Sequence, residues 1–465
     1  MSDSLYYILC GALVAGVLIG IALMSKVKSS VLGNLLSAAC TAGAILLTLY
    51  HYGILAEWEL WLFTGIGLAA GLAWSYRIKM IDMPQVVGLL NGFGGLASAI
   101  IAVISVTNAK TIDIFGLATA GLALAVGAVT FTGSAIAAAK LHNLMKQKPQ
   151  IWKAHQAITI ASLAVMTASI VMFAALPPQW LPVSVFVCGA ASGFFGVAFA
   201  IRVGGADMPI TISLLNSFSG VAGSIAGMTI RDPLLVAIGG IVGASGLLLT
   251  QIMCRAMNRK LLDILTGKTS VAAGSSLAVW EDAVAAKEGG DAAEPAEALD
   301  PIALLRAARD VMIIPGYGMA LAQAQYLVKQ LADALEANGA QVRFAIHPVA
   351  GRMPGHMNVL LAEAEVDYDN LLEMEDANPL LEGCDLGIVI GANDVVNPAA
   401  NIAEGTPIYG MPILNADRAK HLIICNYDKK PGYAGVENPL YHAPNAVMLA
   451  GDAAKTLQGL LDEIG

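Results

Sequence analysis

The chain has 465 residues, of which 57% are hydrophobic and only 13% charged, and its mean hydropathy is +0.67. This composition excludes an ordinary soluble globular protein, and the length exceeds that of a single domain. A formal net charge of −9 argues against nucleic acid as a partner. The six cysteines form no CxxC pair, so we expect reduced thiols and no metal site.

Apolar stretches dominate the first half of the chain, and nine of them are long enough to cross a hydrocarbon core of about 30 Å. We therefore predict a polytopic α-helical membrane domain of about nine transmembrane helices over residues 1–262. The stretches are residues 5–25, 31–50, 54–74, 84–107, 113–139, 157–177, 181–201, 209–229 and 233–256.

Basic residues concentrate on alternate loops between these stretches, whereas the intervening loops carry only Lys110 and Arg231. By the positive-inside rule this pattern places the N-terminus outside and the C-terminal part of the chain in the cytoplasm. An odd number of spans predicts the same orientation. The basic loop residues are Lys26, Lys28, Arg77, Lys79, Lys140, Lys146, Lys148, Lys153, Arg202, Arg255, Arg259 and Lys260.

A parallel repeat lies within the apolar half. The triplet Asp82-Met83-Pro84 recurs 125 residues later as Asp207-Met208-Pro209, four spans further on and therefore in the same direction. Each aspartate stands where a helix N-cap belongs, and each proline falls in the first turn, where a missing N–H costs nothing. Asp207 is thus either a cap or a member of a proton path.

Small and polar residues form matching stripes on the two repeated helices. One stripe is Gly88, Asn91, Gly95 and Ala99, and the other is Ser213, Asn216, Gly220 and Ser224. Two interpretations stay open for Asn91 and Asn216, which lie close to the expected bilayer midplane. Each amide bonds a neighbouring helix, or the stripes line a hydrated route for a proton or ion. No histidine lies deep in a predicted span, so the group that would carry the proton is not apparent.

The second half of the chain has a different character. Residues 263–300 are rich in alanine, glycine and acidic residues, which is typical of a flexible linker. Residues 301–465 alternate strand and helix patterns, which predicts a Rossmann-like α/β domain with a parallel sheet. A strand at 311–314 leads into the glycine turn of residues 315–320, which opens a helix. Such a turn lets the backbone approach a pyrophosphate, although Leu321 interrupts the G-x-G-x-x-G pattern and the small residue follows at Ala322.

Two further strands end in polar loops. The strand at 341–346 runs into a loop that carries Arg352 and no acidic residue, which favours a cofactor with an extra phosphate, NADP over NAD. The strand at 386–390 runs into Gly391, Asn393 and Asp394 at the edge where open α/β sheets bind ligands. An Asx turn is the alternative interpretation of Asn393 and Asp394.

Four motifs in this half occur in the order of a known family. They are residues 316–325 (GYGMALAQAQ), 347–357 (HPVAGRMPGHM), 391–400 (GANDVVNPAA) and 432–439 (GYAGVENP). With the membrane half, they make the chain resemble the beta subunit of the proton-translocating nicotinamide nucleotide transhydrogenase over essentially its whole length.

The resemblance implies an NADP(H) site and a role for each motif. The turn at Gly316 and the loop at Arg352 would hold the pyrophosphate, Asp394 would lie near the nicotinamide as the catalytic residue, and the loop at Gly432 would form a lid. The implied cofactor-binding residues are Gly316, Tyr317, Gly318, Ala322, Val349, Ala350, Gly351, Arg352, Met353, Pro354, Gly391, Asn393, Asp394, Lys429, Lys430, Gly432 and Tyr433.

The chain departs from the family pattern at two places. Asn91 stands where some members carry a membrane histidine, so a partner chain would supply the proton relay. In the lid, much of the family has a Lys-Arg-Ser run for the 2′-phosphate, whereas this chain has residues 426–428 (NYD) followed by Lys429 and Lys430. We expect the two lysines and Arg352 to read that phosphate instead.

Only one dinucleotide fold is predicted, so a second nicotinamide has to come from another chain. The resemblance implies an NAD(H)-binding alpha subunit as partner, a higher oligomer of this heteromer, and a prokaryotic inner membrane as location. The expected function is reversible hydride transfer from NADH to NADP⁺ coupled to inward proton movement. The alternative is a transporter or channel that an NADP(H)-sensing domain regulates.

Overall fold

A computed structural model describes residues 2–464 except 25–26, 80–81, 109–112, 143, 147–148, 176, 205–206, 267–298 and 354. Most of the predicted linker, 263–300, therefore lies outside the described residues. The chain divides into two compact units. The first comprises Met1–Arg202 and Thr211–Leu249, and the second comprises Val203–Ile210 and Thr250–Gly465.

Long helices build the first half of the chain, as the sequence predicts. Two of them, α4 and α8, begin at the methionine of the repeated Asp-Met-Pro triplet. The helices are α1 Asp3–Met24, α2 Val27–His51, α3 Trp58–Ser75, α4 Met83–Asn108, α5 Ile114–Leu141, α6 His155–Ala175, α7 Leu181–Arg202, α8 Met208–Ile230, α9 Pro233–Ala256 and the short α10 Leu261–Thr266.

Within the described residues, eight helices are long and apolar enough to cross a membrane, one fewer than predicted. The exception is α3, whose 18 residues are long enough but not apolar enough. Tryptophans 58, 61 and 74 and Glu59 dilute its apolar character. With eight spans the parity argument for orientation no longer holds. The prediction that the C-terminal part is cytoplasmic then rests on the basic loops alone.

Aspartate side chains cap the starts of two of these helices. The Asp113 carboxylate accepts a hydrogen bond of 3.1 Å from the Gly116 N–H at the start of α5. At the start of α9, Asp232 accepts from the N–H groups of Leu234 and Leu235. These N–H groups have no partner within the helix, so the carboxylates satisfy donors that the membrane would otherwise leave unpaired.

The first small-residue stripe packs α4 closely against α5. A Cβ at Gly95 would lie 2.9 Å from the Gly127 carbonyl oxygen, and one at Gly127 would lie 2.4 Å from the Gly95 oxygen. Asn91 on the same stripe is buried, and its Nδ2 donates to the Ile212 oxygen of α8 at 3.4 Å. The stripe therefore allows the backbones to approach and holds a third helix through an amide.

The second stripe packs α8 against α9. Ser213 donates to the Gly246 oxygen at 3.4 Å, and Ser224 donates to the Val236 oxygen at 2.9 Å. Ser217, beside the stripe, donates to the Gly243 oxygen at 2.6 Å. Asn216 is half-buried on this helix. The first repeat thus makes its helix contacts through glycines and an amide, and the second through serine hydroxyls.

The C-terminal part is a six-stranded sheet in the order β3-β2-β1-β4-β5-β6, and every neighbouring pair is parallel. This confirms the predicted Rossmann-like fold. The direction of the strand order changes between β1 and β4, which is where such sheets bind ligands. The strands are β1 Asp310–Pro315, β2 Gln341–Ile346, β3 Leu371–Glu373, β4 Leu386–Ile390, β5 His421–Asn426 and β6 Ala446–Ala450.

Helices and short 3₁₀ turns connect these strands. The helices are α11 Pro301–Ala307, α12 Tyr317–Leu321, α13 Gln325–Ala337, α14 His356–Glu363, α15 Met374–Leu381, α16 Ala399–Ile402 and α17 Ala453–Ile464. The 3₁₀ turns in this part are Tyr368–Asn370, Asp394–Val396, Ala416–Arg418 and Pro439–His442. The core of the sheet is apolar, and β4 is buried along its whole length. A buried core on rigid strands fixes the loops at the carboxyl edge.

Candidate functional site

Two glycine turns meet at the carboxyl edge of β1 and β4. The Gly316 N–H donates to the Ile390 oxygen and the Gly318 N–H to the Gly391 oxygen, both at 2.8 Å. A Cβ at Gly318 would lie 2.6 Å from the Cα of Gly391, whose φ is +67°. Glycine is thus required because the two turns touch each other. This contact adds to the sequence-based reason, which was close approach of the backbone to a phosphate.

The helix after the first turn is shorter than the sequence pattern suggests. It is α12, with only five residues, and α13 begins after Gln323, whose φ is +51°. The chain therefore departs from the G-x-G-x-x-G pattern at the place where α12 ends and the helix breaks before α13. Backbone groups of the turn, rather than a long helix, face the site.

Asp394 lies at the end of the second turn, against the loop that contains Gly432. Its Oδ2 accepts a hydrogen bond of 3.0 Å from the Ala434 N–H, and a Cβ at Gly432 would come within 2.6 Å of its Oδ1. The residue is partly exposed, but Oδ1 itself is buried and meets no donor with hydrogen-bond geometry among the described residues.

The environment of Asp394 disfavours its charge. Burial raises the pKa of Asp394 to about 6, although the backbone N–H groups of Ala434 and Tyr433 act in the opposite direction. Desolvation destabilises a carboxylate because it removes water that solvates the charge. This carboxyl group can therefore gain or lose a proton close to neutral pH.

Asn393 connects the same turn to the lid loop. Its Nδ2 donates to the Lys430 oxygen at 3.0 Å, and Asn438 Nδ2 donates to the Asn393 backbone oxygen at 3.2 Å. The bond from the Asn393 side chain spans 37 residues of chain, whereas an Asx turn bonds two residues further on. The turn and the lid are thus joined by side-chain amides.

Arg352 lies against two aromatic rings, that of Tyr317 at the start of α12 and that of Tyr433 in the lid loop. Its guanidinium carbon is 4.4 Å from the centre of the Tyr317 ring and 5.6 Å from that of Tyr433. Arg352 Nη2 also donates to the Tyr433 hydroxyl at 2.5 Å. Each cation–π contact at an exposed site stabilises by about 0.5–1 kcal/mol. The arginine therefore joins the glycine turn to the lid.

Two buried histidines shape the loop that carries Arg352. The Val349 N–H donates to His347 Nδ1 and the Arg352 N–H donates to His356 Nδ1, both at 3.2 Å. Burial lowers the pKa of each histidine to about 4, so both are neutral at pH 7. A neutral ring can accept these bonds at Nδ1, so the histidines position the loop backbone.

One cavity of about 420 Å³ collects most of the predicted residues, a size suited to a dinucleotide or a large part of one. Among the described residues, Ala322, Met353 and Lys429 are not part of its lining, and Pro354 lies outside the described residues. The predicted residues that line it are Gly316, Tyr317, Gly318, Val349, Ala350, Gly351, Arg352, Gly391, Asn393, Asp394, Lys430, Gly432 and Tyr433.

The cavity also has lining residues that the sequence does not single out as binding residues. Pro407, Ile408 and Met411 form an apolar wall from a segment without strand or motif signal. Tyr427 and Asp428 belong to the lid run that departs from the family pattern. In the sequence, the only signal for Tyr427 and Asp428 is this departure from the family pattern.

The aspartate and asparagines predicted for a proton path lie at separate places in the chain. Asp207 is buried in the second unit, where its Oδ1 lies 3.3 Å from Arg259 Nε. Asn91 on α4 and Asn216 on α8 belong to the first unit. In the sequence Arg259 is only a loop cation, and its distance from Asp207 along the chain gives no sign of the ion pair.

Comparison with known proteins gives one family across the whole chain. The family model described as NAD(P) transhydrogenase beta subunit matches residues 5–463. The NAD(P) transhydrogenase subunit beta of Rhodospirillum rubrum is 38% identical over 462 residues, covering 97% of each chain, and a second chain from a strain of that organism gives the same values. The chain belongs to the NAD(P) transhydrogenase beta subunit family.

Proposed function

We propose that this chain binds NADP(H) at the carboxyl edge of its parallel sheet. With an NAD(H)-binding alpha subunit, it then supports reversible hydride transfer from NADH to NADP⁺ coupled to proton translocation into the cytoplasm. The observation that carries the proposal is the single cavity that brings Arg352, the paired glycine turns and Asp394 together. The family relationship supports the same reaction.

The residues present fit a dinucleotide phosphate. Arg352 offers a planar cation for phosphate oxygens, and the backbone at Gly316 and Gly351 can lie close to a pyrophosphate. Asp394 Oδ1 is a buried acceptor that meets no donor within the described protein, and a bound molecule could supply one. Ala322, Met353 and Lys429 remain proposed binding residues that would act from beyond the lining, and Pro354 remains a proposed binding residue outside the described part of the chain.

The bound nicotinamide supplies the hydride chemistry, so the chain needs no side chain that reacts with the hydride itself. Arg352 and Tyr433 hold the lid against the glycine turn and exclude water. Asp394 holds or releases a proton at its carboxyl group near neutral pH because of its raised pKa. Its protonation can therefore differ between states of the site.

Coupling requires that this site and the membrane helices affect one another's equilibrium. We propose Asn91, Asn216 and Asp207 as members of the proton path in a translocating domain of residues 1–262. Residues 263–300 would act as a linker, and residues 301–465 as the NADP(H)-binding domain. The basic loops support a cytoplasmic location for that domain in a prokaryotic inner membrane. The complex with the alpha subunit would form a higher oligomer.

Calorimetry on residues 301–465 tests the binding step directly. The sheet, its helices and its core make up a self-contained structure, so we expect the fragment to fold and to bind NADP⁺ and NADPH with measurable heat. Arg352→Ala should weaken binding about tenfold or more without unfolding the fragment. A folded fragment that binds neither form would refute the proposal.

A further inference from the structure

The lid loop places the carboxylate of Asp428 beside Lys430 in the lining of the cavity. Asp428 and Lys430 both line the cavity, and Lys430 Nζ lies 3.1 Å from Asp428 Oδ2. The Lys430 backbone N–H also donates to Asp428 Oδ1 at 3.0 Å. These two contacts hold the pKa of Asp428 below its ordinary value, so the carboxylate is ionised at neutral pH.

The two charged lid residues that line the cavity, Lys430 and Asp428, therefore offset each other. Lys430 brings one positive charge and Asp428 cancels it within hydrogen-bond distance. The pair is solvent-exposed and therefore weak, so the lysine can move away from it. The carboxylate stays, because the backbone N–H of Lys430 holds it in the loop.

The Asp428 carboxylate would repel a 2′-phosphate but could accept a hydrogen bond from a 2′-hydroxyl. A phosphomonoester carries about −1.5 to −2 charges at pH 7 and is repelled by a nearby carboxylate. An unphosphorylated ribose hydroxyl is a donor that a carboxylate can accept from. In other dinucleotide folds an acidic residue recognises NAD in this way, although there it follows the second strand. The lysine and the aspartate thus act in opposite directions on cofactor choice.

We propose that Asp428 is a specificity-determining residue of this cavity, which opposes a 2′-phosphate and accepts a ribose 2′-hydroxyl. The proposal rests on the proposed function, because it requires that the cavity bind a nicotinamide dinucleotide and that Lys430, beside Asp428, lie close to the 2′-position of its ribose. Its consequence is that the chain distinguishes NADP(H) from NAD(H) less strongly than Arg352 and the lid lysines alone would allow. NAD(H) is then a competing ligand of the same site.

The test measures the affinities of the full-length chain in detergent for NADP⁺ and NAD⁺ by calorimetry, before and after Asp428→Asn. A carboxylate a few ångströms from a dianion in water changes its affinity about tenfold. We expect the ratio of NADP⁺ affinity to NAD⁺ affinity to rise about tenfold in the variant. The rise should shrink when salt is raised to about 0.5 M, because screening weakens charge repulsion.

Two further variants test whether a change in the affinity ratio comes from the charge in the cavity or from the loss of any aspartate. Asp428→Glu keeps the carboxylate and should keep the wild-type ratio within about threefold. Asp333→Asn removes an aspartate that is also paired with a lysine, Lys329, but lies on α13 away from the cavity lining. That control should leave the ratio unchanged.

The outcomes distinguish this inference from the proposed function. An unchanged ratio in Asp428→Asn, in a chain that still binds NADP⁺, would overturn the specificity role and leave NADP(H) binding intact. Failure of the wild-type chain to bind either dinucleotide would overturn both. Variants that bind NADP⁺ with normal heat are folded at the site, so loss of structure cannot imitate the expected result.

Discussion

Burial of the Asp394 carboxyl group makes the stability of the C-terminal fold depend on pH. Its pKa is about 6 in the folded chain, against an ordinary value of 3.8. Between these values the folded state binds a proton that the unfolded state has lost. Stability from this group is therefore fully present below pH 3.8, falls as pH rises to about 6, and is constant above it.

Asp394→Asn should remove this pH dependence, because the amide cannot ionise but can still accept from the Ala434 N–H. A shift of about two pKa units corresponds to about 3 kcal/mol. In denaturant unfolding of residues 301–465, the stability advantage of the variant over the wild type should grow from about zero near pH 4 to about that much at pH 7.

The same variant also tests whether Asp394 takes part in hydride transfer. If the proton on Asp394 takes part in turnover, Asp394→Asn should impair transfer in the assembled enzyme despite its higher stability at pH 7. Normal transfer together with an unchanged pH profile of stability would show that Asp394 is only a structural acceptor for the lid.

At the scale of elements, the lid loop is held to the glycine turn through Tyr433. Tyr433→Phe keeps the ring that contacts Arg352 but removes the hydroxyl acceptor. One hydrogen bond of this kind contributes about 1 kcal/mol, which is about a fivefold change in an opening equilibrium. Amide hydrogen exchange across residues 430–435 should speed up by about that factor. Equal exchange in the variant would mean that Arg352 does not hold the lid.

The close contact between α4 and α5 gives a steric prediction with a matched control. Gly95→Ala would place a Cβ 2.7 Å from the Thr130 Cβ and 2.9 Å from the Gly127 oxygen, so the helices must separate. Gly88→Ala on the same stripe meets nothing closer than 4.0 Å. Gly95→Ala should lower the thermal stability of the detergent-extracted protein markedly, and Gly88→Ala should not. Equal behaviour of the two would argue against this packing.

Some elements could be predicted from sequence because their signals are local. The strands β1, β2 and β4 are short apolar runs that end in glycine or polar turns, and the repeated Asp-Met-Pro triplet marks the starts of α4 and α8. The strands β3, β5 and β6 were not predicted. Only three residues form β3, and its burial pattern is weak.

Features of the site that depend on distant residues could not be read from the sequence. The hydrogen bond from Arg352 to Tyr433, for example, joins residues that are 81 positions apart in the chain. The burial of Asp394 Oδ1 and the ion pair of Asp207 with Arg259 likewise require contacts made only in the folded chain. Motifs located the cavity, but its electrostatics came from tertiary structure.

For the whole molecule, the central claim is that NADP(H) binding and proton movement belong to one coupled reaction. The direct measurement uses proteoliposomes that contain this chain assembled with an NAD(H)-binding alpha subunit, a pH-sensitive dye, NADH and an NADP analogue with a distinct reduced absorbance. The account predicts analogue reduction and a pH gradient that appear together, both absent when the alpha subunit is omitted. Proton movement that responds to NADP(H) without any hydride transfer would contradict it and would favour a regulated channel or transporter.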